Sequence, residues 1–225
     1  MRGRRSSAAS NASESEQYRC TFSCKAAVQA AWSSYFGVND TLVGDYRTRA
    51  PFTPTVMALF DGWKQAGAAR AAIARGQALF NGKLIRIRGL KGLNDDLGVE
   101  EIAGTCTTCH NAPNAGDHSI PMPLDIGIAV ATRRTPDMPL YTLRNKATGE
   151  TCQTTDPGRA LVTGKWKDIG RFKGPILRAL AARAPYFHNG MAPDVDAAVD
   201  FYETRFGIGF TQQERSDLSA FLRAL

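Results

Sequence analysis

The sequence predicts an all-α domain whose helices are separated by long irregular insertions. Three observations predict it. Residues 66–80 carry an apolar face at helical spacing, the last fifteen residues read as a capped amphipathic helix, and the stretch between 111 and 150 is rich in Pro, Gly, Asp and Thr. With 225 residues, 43% of them apolar, the chain can bury a substantial core.

The elements follow in order. Residues 1–17 (MRGRRSSAASNASESEQ) are polar and of low complexity, and the spacing predicts disorder. An apolar run over 26–36 predicts a short helix, and Cys20 and Cys24, one helical turn apart if that stretch is helical, could pair in an oxidising compartment. The Pro51 and Pro54 signals mark the start of the main part, which divides the chain into an extension, 1–50, and a domain, 51–225.

In the helix over 66–80, Ile73, Gly76, Leu79 and Phe80 share a face and Asn81-Gly82 supplies the stop. Gly76 on that face admits another helix at close range. Apolar and basic residues alternate over 83–93, which predicts a short strand or hairpin. Asp156-Pro157 reads as a cap followed by proline at the first helical position. Helices are expected over 174–183, closed by Ala184-Pro185, and over 194–206, with Val195, Val199, Tyr202 and Phe206 on one stripe. Thr211 and Glu214 form a capping-box pattern ahead of a final helix that buries Leu218, Phe221, Leu222 and Leu225.

The chemistry sits in Cys106-Thr107-Thr108-Cys109-His110, a C-x-x-C-H pentapeptide. Two thiols at this spacing can add to the two vinyl groups of a porphyrin, and the histidine that follows is placed under the iron as its proximal ligand. The chain holds five cysteines and three histidines, so a chance match is improbable. Two other uses of a C-x-x-C pair stay open: half of a zinc site completed by Cys152 or His118, and a thioredoxin-like redox pair, although the βαβ context of the latter is missing. One covalently attached c-type haem is the expected cofactor. Together with the flanking helices and the irregular wrap, the pentapeptide outlines a cytochrome c-like helical domain in which the first and last helices cross.

The formal charge is +7, yet no recognised nucleic-acid module accompanies it. The cluster Lys165, Lys167, Arg171, Lys173, Arg178 and Arg183 flanks the expected haem region, where propionates need basic partners; a solvated basic face explains most of these residues equally well. No stretch is long and apolar enough to span a bilayer. Thioether attachment takes place outside the cytoplasm, so a periplasmic or otherwise exported location is expected although no leader is visible. Cys152 is read as a structural cysteine without a role.

Phe172-Lys173-Gly174-Pro175-Ile176-Leu177-Arg178, followed by Arg183-Ala184-Pro185-Tyr186-Phe187-His188-Asn189-Gly190, resembles the C-terminal domain of bacterial dihaem cytochrome c peroxidases and their MauG-type relatives. The likeness runs over about 66–225, with long inserts before Cys106 and after His110. It implies a haem oxidoreductase. Members of that family carry two haems in two domains, one taking in electrons and the other meeting peroxide. This chain has one C-x-x-C-H, in the part that resembles the electron-intake half. The resemblance therefore implies electron transfer, with a redox partner protein or a second haem subunit as partner. A haem peroxidase or oxidase acting on hydrogen peroxide or an organic substrate is the alternative, and a structural zinc-binding module the second.

The same resemblance implies a distal position on Tyr202, where MauG-type proteins use tyrosine; as part of its apolar stripe, Tyr202 could equally be core. Met191 is the rival ligand, and Met122 and His118 are weaker ones. His188, Lys173 and Arg178 are candidates for ordering the haem edge or its propionates.

Overall fold

The computed structural model describes residues 57–110 and 123–225. Expectations for 1–50, for the Cys20 and Cys24 pair, for the helix over 26–36, and for His118 and Met122 lie outside the described residues.

Helix α1 (Ala68–Gly82) and the C-terminal helix, here α6 (Gln212–Ala224), pack against each other and form the centre of the fold. Gly76 makes the crossing possible. A Cβ built there would lie 1.9 Å from the Asp217 carbonyl oxygen and 2.7 Å from the Phe221 Cβ, so the absence of a side chain lets the two backbones touch. Phe221, 0% exposed, fills the crossing together with Phe80, Leu218, Val195 and Val199. The Thr211 hydroxyl accepts from the Glu214 amide at 3.2 Å while Glu214 Oε2 accepts from the Thr211 amide at 2.8 Å, the capping box expected from the sequence.

Around this pair the chain adds small elements. Strand β1 (Ile85–Arg88) pairs antiparallel with β2 (Glu101–Gly104), and between them lies the one-turn helix α2 (Asn94–Leu97). The alternation over 83–93 thus becomes a strand whose partner lies beyond a loop. Ile85 and Ile87 point into a second apolar cluster with Leu90, Leu93 and Leu124, while Arg86 and Arg88 point out to Glu101. The one-turn helix α3 (Cys106–Cys109) follows β2 directly. A second antiparallel pair joins β3 (Tyr141–Arg144), within the region expected to be an irregular wrap, to β4 (Thr151–Thr154) just beyond it. Next come the one-turn helix α4 (Ala160–Thr163) and helix α5 (Val195–Phe206), which Asp194 caps by accepting the Ala197 amide at 2.8 Å.

Two local expectations are corrected. The helix expected over 174–183 is absent. The segment runs irregularly, with one 3-10 turn at Leu180–Ala182. Pro175 has no amide hydrogen to donate, Ala179 adopts φ 54°, and its amide donates to the Leu225 carbonyl at 2.9 Å. The apolar residues that suggested a helix serve a wall instead, with Leu177 buried in the main core. At Asp156, the carboxylate accepts from the Gly158 amide at 2.7 Å in a local turn, so helix α4 starts later, at Ala160.

Replacing Gly76 with alanine forces the two helices apart. Gly76→Ala is expected to destabilise the domain by about 1–3 kcal/mol or more in urea unfolding, whereas Gly82→Ala, whose added Cβ meets nothing within 4 Å, leaves the midpoint nearly unchanged. Glu214 is held below its ordinary pKa, first by the Thr211 amide and then by Lys83. Its contribution to stability is therefore full above pH 4.5 and lost as the pH falls through its lowered value. Glu214→Gln should remove that part of the acid sensitivity, seen as a smaller loss of unfolding free energy between pH 6 and pH 3.

Candidate cofactor cavity

The C-x-x-C-H turn is built by its neighbours. Gly104 ends β2, where a Cβ would meet Thr108 Oγ1 at 2.7 Å and Ile87 Cδ1 at 2.8 Å, so α3 folds directly onto the sheet. Thr108 Oγ1 accepts the Thr105 amide at 2.9 Å, and the His110 amide donates to the Cys106 carbonyl at 2.9 Å. One turn of helix thereby sets Cys106, Cys109 and His110 along the same cavity. Neither cysteine is in a disulfide.

The cavity has a volume of about 480 Å³ and is lined chiefly by apolar side chains, among them Ile85, Leu90, Leu124, Phe172, Leu177 and Val199. That is the size of a small-molecule or cofactor site. Burial pushes the Cys106 thiol up to about 12, with a further push from Cys109 beside it, and burial alone pushes the Cys109 thiol up to about 11. Tyr202 also lines the cavity, and its phenol is raised by burial and then by Cys109 and Cys106. The hydroxyl and the two thiols therefore share one desolvated space. Phe187, Phe201 and Phe206 frame the Tyr202 ring, the last stacked at 6.3 Å between centroids.

One edge of the cavity carries polar groups. Lys173, Arg183 and His188 belong to its lining. The His188 ring stacks on Phe172 at 3.9 Å between centroids, and its Nε2 lies 3.6 Å from an Asp156 carboxylate oxygen. Burial lowers the His188 pKa below its ordinary 6.5, and Asp156 opposes that shift. The turn carrying His188 is closed by the Tyr186 amide donating to the Ala192 carbonyl at 2.7 Å. Phe187 within it adopts φ 65°, a left-handed conformation that a bulky residue rarely takes, and lines the cavity.

Of the residues singled out from the sequence, Cys106, Cys109, His110, Tyr202, His188 and Lys173 come together here. Met191 and Arg178 are not part of the lining. Arg183 is, although the sequence placed it only in a basic cluster and in the segment that carries the resemblance, with no site role. Phe187 was missed, since nothing in a sequence marks a positive φ at phenylalanine.

The donors fit a covalently attached porphyrin. Two free thiols one turn apart and an imidazole next to them face an apolar chamber, with cations at its edge. Among the described residues, no group of three or more His, Cys, Asp or Glu gathers as a metal-ion site, and Cys152 lies on β4 with its sulfur 3.8 Å from the Gln153 carbonyl. No helix among the described residues is long and apolar enough to cross a membrane.

No family model matches the chain. Individual relatives do. A cytochrome-c peroxidase of Denitromonas iodatirespirans is 31% identical over 214 residues, covering 87% of this chain and 49% of that protein. A cytochrome-c peroxidase of Pseudomonas sp. (strain SCT) is 33% identical over 171 residues, 67% of this chain and 39% of that protein. The chain is a homologue of cytochrome c peroxidases. This homologue spans about half the length, or less, of the curated relatives it matches. A 42% identical match to the Escherichia coli cytochrome c peroxidase covers 31% of the chain.

In chain prepared without a prosthetic group, the raised thiol pKa values make Cys106 and Cys109 poor nucleophiles at pH 8. Alkylation at these two positions, read by peptide mass spectrometry, is expected to be slower than in urea-unfolded chain by about a hundredfold or more.

Proposed function

We propose that this homologue is a cytochrome c-type domain that carries one c-type haem and passes electrons within a peroxidase-type system. The observation that supports it most is the convergence of Cys106, Cys109, His110 and Tyr202 on one apolar cavity of about 480 Å³. Cys106 and Cys109 would hold the porphyrin through thioethers, and His110 would supply the proximal imidazole. The haem supplies a one-electron iron couple when bound. The chain's own residues do the rest. Leu90, Leu124, Leu177 and Val199 exclude water, which strengthens every charge interaction inside. Lys173, Arg183 and His188 stand where carboxylates of a porphyrin would need cations or donors.

Tyr202 is proposed as the group opposite His110. Its phenol shares the desolvated space with both thiols, while Met191, the alternative, lies outside the cavity lining. A tyrosine oxygen favours ferric iron over ferrous iron, because a hard anionic donor stabilises the higher charge. Where the proton of Tyr202 goes follows from the same burial: an uncharged phenol is favoured in the cavity unless a cation faces it.

Direct reduction of hydrogen peroxide is the second reading, favoured by the similarity to cytochrome c peroxidases. It requires a displaceable group opposite His110 and an acid–base residue, and His188 at the cavity edge is available for that role. A second haem subunit or a redox partner protein is part of the proposal, as the source of the electrons that the haem would pass. An exported, periplasmic setting is part of the proposal, because thioether attachment takes place there.

A pyridine haemochrome spectrum with intact mass is expected to give one haem per chain, and Cys106→Ala with Cys109→Ala should abolish covalent attachment. Colourless protein, or colour fully extracted by acidified organic solvent, would sink the reading. Tyr202→Phe is expected to change the ferric optical and electron-resonance spectra while Met191→Leu leaves them unchanged. Rapid peroxide-dependent Soret changes in the ferric wild type would select the peroxidase reading over the carrier.

A further inference from the structure

The polar edge of the cavity is backed by two chain segments bonded to each other. The turn over 156–159 is tied to residues 170–171 through the backbone. The Arg159 amide donates to the Arg171 carbonyl at 3.0 Å, and the Gly170 amide to the Pro157 carbonyl at 3.1 Å. Phe172 follows directly, and it exchanges backbone bonds with Leu124 at 2.9 and 2.8 Å. Gly158 backs the Phe172 ring. A Cβ there would lie 3.1 Å from Phe172 Cζ and 2.7 Å from the Arg171 carbonyl oxygen, and its φ is 57°, so this close approach requires glycine.

The unit offers His188 two different contacts. The Phe172 ring stacks on the imidazole with 3.9 Å between centroids and 16° between planes, which fixes the plane of the ring. Asp156 faces Nε2 from 3.6 Å, which selects the orientation within that plane. The carboxylate is itself set in advance: its Oδ1 accepts the Gly158 amide at 2.7 Å, and Oδ2 is the oxygen turned to the imidazole. A neutral imidazole beside a carboxylate keeps its proton on the nitrogen that faces the carboxylate. Nε2 is then the protonated nitrogen, and Nδ1 carries the lone pair. The other charged groups at this edge of the lining are Lys173 and Arg183, both cations.

We propose that Asp156 is a positioning residue that holds His188 in its Nε2–H form, with Nδ1 as the base for a peroxide O–H in the cavity. The proposal rests on the peroxide reading above. Burial holds the His188 pKa below its ordinary 6.5, so the ring is neutral at pH 7 and able to accept a proton. In the step, the peroxide O–H bond breaks as an N–H bond forms at Nδ1. A hydroperoxide anion is left, together with an imidazolium whose charge the Asp156 carboxylate offsets. Lys173 and Arg183 keep the part of facing porphyrin carboxylates, which a lone pair on His188 would repel.

The test follows the Soret change of the ferric, haem-bearing full chain with hydrogen peroxide, each rate normalised to haem content by haemochrome. Asp156→Asn keeps an oxygen for the Gly158 amide but offers Nε2 a donor, which reverses the tautomer. It is expected to slow the reaction at pH 7 by about tenfold or more, and His188→Gln by about a hundredfold or more. Asp156→Glu should restore most of the rate. In the His188→Gln background, Asp156→Asn should change the rate less than about twofold, since a residue that acts through His188 has nothing left to act on. A second readout needs no peroxide. The rate at which diethyl pyrocarbonate modifies His188, read by peptide mass spectrometry, tracks the neutral imidazole; its half-point is expected below pH 6.5, and lower again in Asp156→Asn. Equal slowing by Asp156→Asn with and without His188, an unmoved half-point, or a wild-type reaction that Asp156→Asn leaves unchanged overturns the positioning role alone. Haem-bearing wild type that shows no peroxide-dependent Soret change overturns the peroxide reading instead, and the base role falls with it.

Discussion

The contact between Gly76 and the Asp217 carbonyl governs the position of everything else. A helix pair that touches backbone to backbone has little freedom to slide, because each side chain around the crossing is sized to the separation. Phe221 and Phe80 pack beside it with their rings tilted by 55° and their centroids 5.3 Å apart. Asp217, buried on α6, accepts both arms of the Arg75 guanidinium from α1 at 2.7 Å, so the register of the crossing is specified as well as its distance. From this fixed pair, α5 and the irregular strap over 174–190 close one side of the cavity, and the β1–β2 unit closes the other.

The cavity depends on chain segments that could not hold themselves in place. The strap has few internal backbone bonds; its conformation comes from Leu177 in the core and from the Ala179 amide bonded to the C-terminal carbonyl. Phe187 at positive φ and Tyr186, whose hydroxyl donates to the Leu180 carbonyl at 2.8 Å, are set by the same packing. An apolar chamber is unfavourable when filled with water, so a flat, largely apolar group bonded through two sulfurs is the kind of occupant this lining stabilises. Similarity to cytochrome c peroxidases and the chemistry of the lining point the same way.

The charge distribution follows a consistent division. Several carboxylates pair with a cation from a distant element, Asp217 with Arg75, Asp96 and Asp168 with Arg171, and Glu214 with Lys83.

Some of this was legible in the chain itself. The C-x-x-C-H spacing singled out Cys106, Cys109 and His110, because the candidate thioether and imidazole donors reside in five consecutive residues, and the three line one cavity. Helices 66–80, 194–206 and the capped terminal helix could be read from periodicity, since a one-sided apolar face is local information. The reading failed over 174–183, where a helical apolar pattern belongs to a cavity wall whose amides bond to distant carbonyls. It also did not anticipate the β3–β4 pair, whose ladder joins residues on either side of a turn. The sequence alone determined which groups can attach and ligate, as these are properties of side chains. Only the tertiary structure decided which of them meet: Tyr202 in the cavity, Met191 and Arg178 outside its lining, and Arg183 at its edge. Those placements come from long-range packing, in which each position is set by residues a hundred places away.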